Sequence, residues 1–246
     1  MVKIYLVVSN KSLQEIVREC RYPYLLYSFW YIKSSKFNPF PKLSYETVMI
    51  DSGAHSIQQG VAKDDWDKFF KSYLTFLIEN EKSIDYAVEL DIEEMVGMEK
   101  VEQWREELIS STNLPIIPVW HKKRGFNYWE EMCKKYDYVG FSGFLKRGVP
   151  EVPEKYLPKF FKVADKYKTK VHGFGYTRFK SKLICKFYSV DSSSWVNFAR
   201  FVSRPLFISF KHKSAPKYSF KGNLPTRERL RLGAIYYKHL LERWDK

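Results

Sequence analysis

The 246 residues predict an α/β protein folded as a single (β/α)8 TIM barrel, and three observations carry that prediction. Eight short runs rich in β-branched and aromatic residues recur along the chain. Their apolarity is nearly continuous instead of alternating, as in strands covered on both faces, so the sheet is expected to be parallel. Segments with helical spacing lie between the runs, so strand and helix alternate. The same alternation also permits an open, doubly wound sheet, which is the alternative.

The strand-forming runs are KIYLVVS (3–9), TVMIDSG (47–53), DYAVELD (85–91), LPIIPVW (114–120), YDYVGFSG (136–143), KVHGFGY (170–176), FYSVDSS (187–193) and PLFISF (205–210). Helical spacing is found in DDWDKFFKSYLTFLIENE (64–81), GMEKVEQWREELISS (97–111), FNYWEEMCKKY (126–136) and PEKYLPKFFKVADKY (153–167). The crossovers after the sixth and seventh runs have room only for small helices such as FKSKLICK and WVNFARF. A last helix, PTRERLRLGAIYYKHLLERW (225–244), opens on a proline whose missing N–H costs little there. Its stripe of Leu230, Ala234, Tyr237 and Leu241 is expected to pack on the barrel exterior. No repeat, low-complexity segment or linker divides residues 1–246, which are read as one domain.

Composition narrows the partners. Hydrophobic residues make up 45% of the chain and aromatics 18%, enough for one large core and too much for a disordered polymer. Forty-two Lys and Arg stand against 28 Asp and Glu, a formal charge of +14, which points to a polyanion. Nucleic acid fits better than membrane, because no stretch approaches the roughly 20 apolar residues of a spanning helix. Residues 201–246 hold eleven basic and three acidic side chains, concentrated in KHKSAPKYSFKGNLPTRERLR. Lys211, Lys213, Lys217, Lys221, Arg227 and Arg229 are therefore the candidate phosphate contacts, a solvated charge run being the alternative. Cys20, Cys133 and Cys185 are widely spaced, so neither a disulfide framework nor a zinc site is expected. The opening MVKIYLVVSN lacks the apolar length and cleavage site of a signal peptide and reads as a first strand in a cytoplasmic protein.

In a parallel barrel, functional side chains sit at the C-terminal ends of the strands. The runs end in Asp51-Ser52-Gly53-Ala54-His55-Ser56, Glu89-Leu90-Asp91, Trp120-His121, Ser142-Gly143, His172-Gly173-Phe174-Gly175-Tyr176-Thr177 and Asp191-Ser192-Ser193-Ser194. Each has a structural explanation alone, such as an Asx-turn or a helix cap. Three carboxylates facing one mouth are harder to explain structurally, since unpaired charges in a cleft repel one another, and together they favour an active site.

In that order and spacing, DSGAHS (51–56), ELD (89–91), YVGFSGFLKRG (138–148), VHGFGYT (171–177) and YSVDSSS (188–194) resemble the motifs of the tRNA-guanine transglycosylases (queuine tRNA-ribosyltransferases). The similarity is greatest to their smaller DNA-modifying relatives, which insert 7-deazaguanines. The resemblance implies that Asp191 is the nucleophile, Asp51 the general acid/base and Asp91 the residue holding the base by its Watson–Crick edge. Ser52, Gly53, Ser142, Gly143, Gly173 and Gly175 would line the base site, Phe174 or Tyr176 would stack on the purine, and His121 would bond the base or the ribose. The chain departs from the family at Trp120-His121-Lys122, where the tRNA enzymes place Gln-Gly-Gly, and at His55-Ser56, which replace an aromatic-Gln pair. It also carries no counterpart of their zinc-binding Cys/His insertion, so no metal and no nucleotide cofactor are expected.

The function expected is exchange of guanine in a polynucleotide for a 7-deazaguanine such as preQ0, with DNA favoured over tRNA. Retention of configuration at C1′ requires two displacements through a covalent aspartyl-glycosyl intermediate. The alternatives are action on tRNA, a hydrolase in which water replaces the incoming base, and a non-catalytic nucleic-acid-binding barrel.

Overall fold

The computed structural model describes residues 2–54, 66–143, 152–176, 178, 181–196, 207–208, 218–219 and 225–243. Strands β1 (Lys3–Val7), β2 (Tyr24–Ser28), β3 (Thr47–Asp51), β4 (Tyr86–Val88), β5 (Ile116–Ile117), β6 (Val119–His121), β7 (Tyr138–Ser142), β8 (Lys170–Gly173) and β9 (Ser189–Ser192) form one sheet. Their order is β5-β4-β3-β2-β1-β9-β8-β7-β6, and every pairing is parallel. The two ends of that order, β5 and β6, are halves of one strand interrupted at Pro118. Glu89 N–H donates to Ile117 O at 3.1 Å on one side, and Gly140 N–H donates to Pro118 O at 2.7 Å on the other. Nine segments thus make an eight-stranded (β/α)8 barrel, the predicted fold.

Two of the expected strands are corrected. Tyr24–Ser28, absent from the expected set, is the second barrel strand, pairing with β1 and β3. Of PLFISF (205–210), the described residues Phe207–Ile208 are not in the barrel sheet but pair antiparallel with Tyr218–Ser219 in a separate ribbon.

The helices are α1 (Lys11–Glu19), α2 (Phe29–Ser35), α3 (Trp66–Asn80), α4 (Glu93–Val96), α5 (Met98–Ser111), α6 (Gly125–Lys135), α7 (Leu157–Tyr167) and α8 (Thr226–Arg243). Local chemistry accounts for several boundaries. Asn10 Oδ1 accepts from Leu13 N–H at 3.0 Å and caps α1, satisfying one of its orphan donors. Pro158 sits in the first turn of α7, where no intrahelical N–H is needed. The expected stripe of α8, Leu230, Ala234, Tyr237 and Leu241, is buried, and the helix packs against α1 and β1. Among the described residues no helix is long and apolar enough to cross a membrane.

Alternation along the strands divides the core in two. Tyr5, Leu26, Met49, Val88, Ile117, Val119 and Tyr138 fill the barrel interior. Their neighbours in sequence, such as Ile4, Leu6, Leu25, Val48 and Ile50, face the helical layer. Burial of each such aliphatic or aromatic side chain contributes about 1.5–3 kcal/mol. The helical side is also held by aromatic packing, with Trp120 against Phe141 and Phe160 at 4.8 Å between ring centroids in each case.

Candidate active site

The barrel brings Asp51, Asp91, His121 and Asp191 to the C-terminal ends of its strands. Asp51 ends β3, Asp91 follows β4, His121 ends β6 and Asp191 lies in β9. Met49 and Val119, two residues before Asp51 and His121, belong to the interior cluster, so strand alternation turns these polar side chains toward the same mouth.

Asp51 is the most perturbed of the group. Burial, followed by the charges of Asp91 and Asp191, pushes its carboxyl from the ordinary 3.8 up to about 7. The N–H groups of Gly53 and Ser52 pull the other way, and Gly53 N–H donates to Asp51 Oδ2 at 3.1 Å. The carboxyl therefore holds or releases a proton near neutral pH, the property required of a general acid/base.

Asp91 is paired. His121 Nε2 lies 2.8 Å from Asp91 Oδ2. Burial keeps the Asp91 carboxyl above its usual range, with His121 opposing that rise. Burial opposes the charged form of His121, yet the bond and charge of Asp91 outweigh it and the imidazole is raised. The pair thus retains its shared proton to higher pH than an exposed histidine would.

Asp191 is anchored through one oxygen. Gly175 N–H donates to Oδ1 at 2.6 Å, and His172 Nε2 lies 3.4 Å from the same atom. Gly175 has φ +66° and nothing within 4 Å of the position a Cβ would occupy, so its backbone turns its N–H onto the carboxylate without filling the mouth. His172 is fully buried, with Nδ1 2.5 Å from Ser189 Oγ, and Ser189 in turn bonds Tyr138 OH. The 3.4 Å contact does not have hydrogen-bond geometry. His172 Nε2, Tyr5 OH and Ser28 Oγ are the buried side-chain polar atoms without a hydrogen-bond partner among the described residues.

Several expected contacts are turned to internal packing instead. Ser52 is fully buried, and its Oγ accepts from Ala54 N–H at 3.4 Å. Gly53 has φ +86°, and a Cβ there would lie 2.4 Å from Trp30 Cβ, so this glycine serves the turn and the close approach of α2. The positions a side chain would take at Gly143 and Gly173 are filled by the rings of Phe141 and Phe187. Tyr176 is buried with its ring 4.8 Å from Phe187 and its hydroxyl donating to Glu154 Oε1 at 2.9 Å, which removes it as a stacking surface. Phe174 remains partly exposed, beside His172 at 4.4 Å between centroids, and Ser142 sits at the rim in register with His121.

The basic positions divide. Lys211, Lys213, Lys217 and Lys221, with His55 and Ser56, lie outside the described residues. Arg227 pairs with Glu15 and Glu19 of α1. Glu19 ends the helix that leads down to the start of β2, so Arg227 lies toward the end of the barrel opposite the carboxylates. Arg229, two residues on in the same first turns of α8, belongs to that end as well.

Sequence reasoning missed a buried ionic cluster behind the mouth. Glu89, fully buried, accepts from Arg105 Nε at 2.5 Å, from Arg124 Nη1 at 3.0 Å and from Val119 N–H at 2.7 Å. Arg124 also donates to both carboxylate oxygens of Glu93, which follows Asp91 by two residues. The signal available was a glutamate inside an otherwise apolar strand end, which needs cationic partners wherever it is buried. A separate groove of about 730 Å³ between α5 and α6, lined by Glu102, Glu106, Tyr128 and Lys135, lies on the outer helical layer, away from the three aspartates.

No protein-family profile matches the sequence, and no curated protein matches it. Among solved structures, the chain is similar to a mutant tryptophan synthase α-subunit from the hyperthermophile Pyrococcus furiosus, with a TM-score of 0.53 and 12% identity over 98% of this chain and 100% of that one. A second structure of the A-subunit from that organism gives a TM-score of 0.52 and 12% identity over 98% and 97%. At this identity the likeness concerns the fold.

Proposed function

We propose that the protein is a base-exchange glycosyltransferase that replaces guanine in a polynucleotide with a 7-deazaguanine. The observation that carries this reading is that two carboxyls at one mouth sit in different environments: burial and neighbouring charge push Asp51 up to about 7, while Asp191 is held through Oδ1 by Gly175 N–H at 2.6 Å. Two carboxyl groups held in different environments are what a double displacement needs. Asp191 attacks C1′ and the C1′–N9 bond breaks, leaving an aspartyl ester. Asp51 delivers a proton to the departing guanine and afterwards takes one from the incoming base. The ester then breaks as the new bond to C1′ forms. Asp91 and His121, sharing one proton, present both an acceptor and a donor edge to a purine. The target nucleotide has to leave its stack to reach such a site. Lys122, exposed directly after His121, offers a phosphate contact on the mouth side, whereas Lys123 is held by Glu94 at 2.7 Å and Arg227 pairs with Glu15 and Glu19 at the other end.

DNA is favoured over tRNA on the resemblance of the chain to the smaller members of the family. The test is incorporation of radiolabelled guanine into tRNA, single-stranded DNA and double-stranded DNA by wild-type protein and by Asp191→Asn. Incorporation that is lost in the variant supports the reading and identifies the polymer. Release of guanine without incorporation would assign a hydrolase. Tight binding with neither release nor incorporation would assign a binding protein.

A further inference from the structure

We propose that His172 is a positioning residue for Asp191, holding Oδ1 through Nε2–H so that Oδ2 is presented to the sugar, with its tautomer set by Ser189 and Tyr138. The inference rests on Asp191 being the nucleophile, as proposed above.

The chain of contacts runs through the barrel core. Tyr138 OH bonds Ser189 Oγ, and Ser189 Oγ lies 2.5 Å from His172 Nδ1. These groups come from adjacent strands: Gly140 of β7 is in register with His172 of β8, and His172 with Ser189 of β9. A buried ring nitrogen 3.4 Å from a carboxylate oxygen is stabilised when it carries the hydrogen, which places a proton on Nε2. A chain in which Tyr138 O–H donates to Ser189 and Ser189 O–H donates to Nδ1 is the arrangement consistent with that tautomer. Nε2 is buried, lacks a hydrogen-bond partner among the described residues and has Asp191 Oδ1 at 3.4 Å.

Among the described residues no group hydrogen-bonds Nε2. The rings of Tyr5 and Phe174 pack against the imidazole at 6.0 and 4.4 Å between centroids, both near perpendicular. Tyr5 OH is itself without a hydrogen bond, and burial, together with Tyr138, Tyr86, Tyr188 and Asp85, keeps it protonated. Asp51 lies close enough to Asp191 for the charge of Asp191 to help raise its carboxyl. With Gly175 N–H and His172 both on Oδ1, and no hydrogen bond to Oδ2 among the described residues, the two carboxylate oxygens are inequivalent. A rotation that shortens 3.4 Å to hydrogen-bond length would fix the plane of the attacking group, which is the kind of tightening that accompanies substrate binding.

The test combines a spectroscopic and a kinetic measurement. The protein has five histidines, so ¹⁵N-labelled imidazole signals are few, and the signal absent from His172→Gln identifies the residue. The expected result is a proton on Nε2 in wild type, with the tautomer shifting toward Nδ1–H in Tyr138→Phe, where the serine hydroxyl is free to reverse. In the guanine exchange assay, His172→Phe is expected to lose about 10- to 100-fold in kcat with KM unchanged, the size of one hydrogen bond to a charged group. His172→Gln, whose amide can donate, is expected to recover most of that loss. An Nδ1–H tautomer in wild type, a rise in KM with kcat intact, or equal activity of the Gln and Phe variants with native thermal unfolding would overturn the proposal. Wild-type protein that shows the Nε2–H tautomer but no exchange sensitive to Asp191→Asn would instead sink the transglycosylase reading and leave the relay standing as a core hydrogen-bond chain.

Discussion

Replacing Asp51 with asparagine tests the electrostatics of the mouth without requiring a substrate. Its carboxyl is raised from 3.8 to about 7, so the folded protein resists an ionisation that the unfolded chain undergoes freely. Below pH about 4 the group is protonated in both states and the full stability is present. As pH rises toward 7 the unfolded state ionises alone and stability falls, and above that the loss is complete. A shift of about three units at 1.36 kcal/mol each corresponds to about 4 kcal/mol. The side chain keeps part of its surface open to the mouth, where water screens it, and this reduces the expected effect to about 2 kcal/mol. Asparagine keeps the shape and an oxygen for Gly53 N–H but cannot ionise. Urea unfolding followed by tryptophan fluorescence at pH 4 through 8 should show Asp51→Asn gaining on wild type by about 2 kcal/mol across that range, or about 4–8 °C in Tm. Parallel curves for the two proteins, or a gain that shrinks as pH rises, would refute the reasoning.

Glu89→Gln should destabilise by about 3–5 kcal/mol, because it leaves Arg105 and Arg124 as buried cations without their shared anion. A shift in urea midpoint with unchanged m-value is the measurement, and a change below about 1 kcal/mol would mean that the arginines find other partners. Two glycine substitutions form a matched pair: Gly53→Ala places a methyl 2.4 Å from Trp30 Cβ at φ +86°, whereas Gly175→Ala has φ +66° and open space. Thermal unfolding should show about 3 kcal/mol or more lost in the first and about 1 in the second, the backbone strain alone.

The (β/α)8 class was legible because buried parallel strands keep a continuous apolar signature, yet the count of eight rested on a partly wrong set. Tyr24–Ser28 runs into Phe29–Ser35 with Ser28 the single polar residue between them, so an aromatic strand followed at once by an aromatic helix reads as neither. Phe207–Ile208 has strand chemistry, and pairing with Tyr218–Ser219 instead of β9 is a tertiary choice that its own residues do not reveal. At the mouth, Asp51, Asp91 and Asp191 were legible from their place at strand ends. Their partners were not. Whether His121 faces Asp91, or His172 lies beneath Asp191, depends on how far adjacent strands are staggered around the barrel. The glycine-rich turns were misjudged for a related reason: a missing Cβ is equally useful beside a ligand or beside a neighbouring ring, and Gly143 and Gly173 are beside rings.

Pro118 sits where one strand changes partners, its carbonyl bonded to Gly140 and its ring nitrogen donating nothing. Sliding that strand by two residues would preserve which side chains face inward, so hydrophobic pattern alone would tolerate the error. It would not tolerate the proline. The missing donor would move into the ladder with β4 or β7 and strand an acceptor in the core. A closed cylinder has no free edge at which a misaligned stave can fray and re-pair. A single residue without an amide hydrogen thus serves as the index mark for the whole circumference, and the facing of the mouth carboxylates inherits its alignment from that mark.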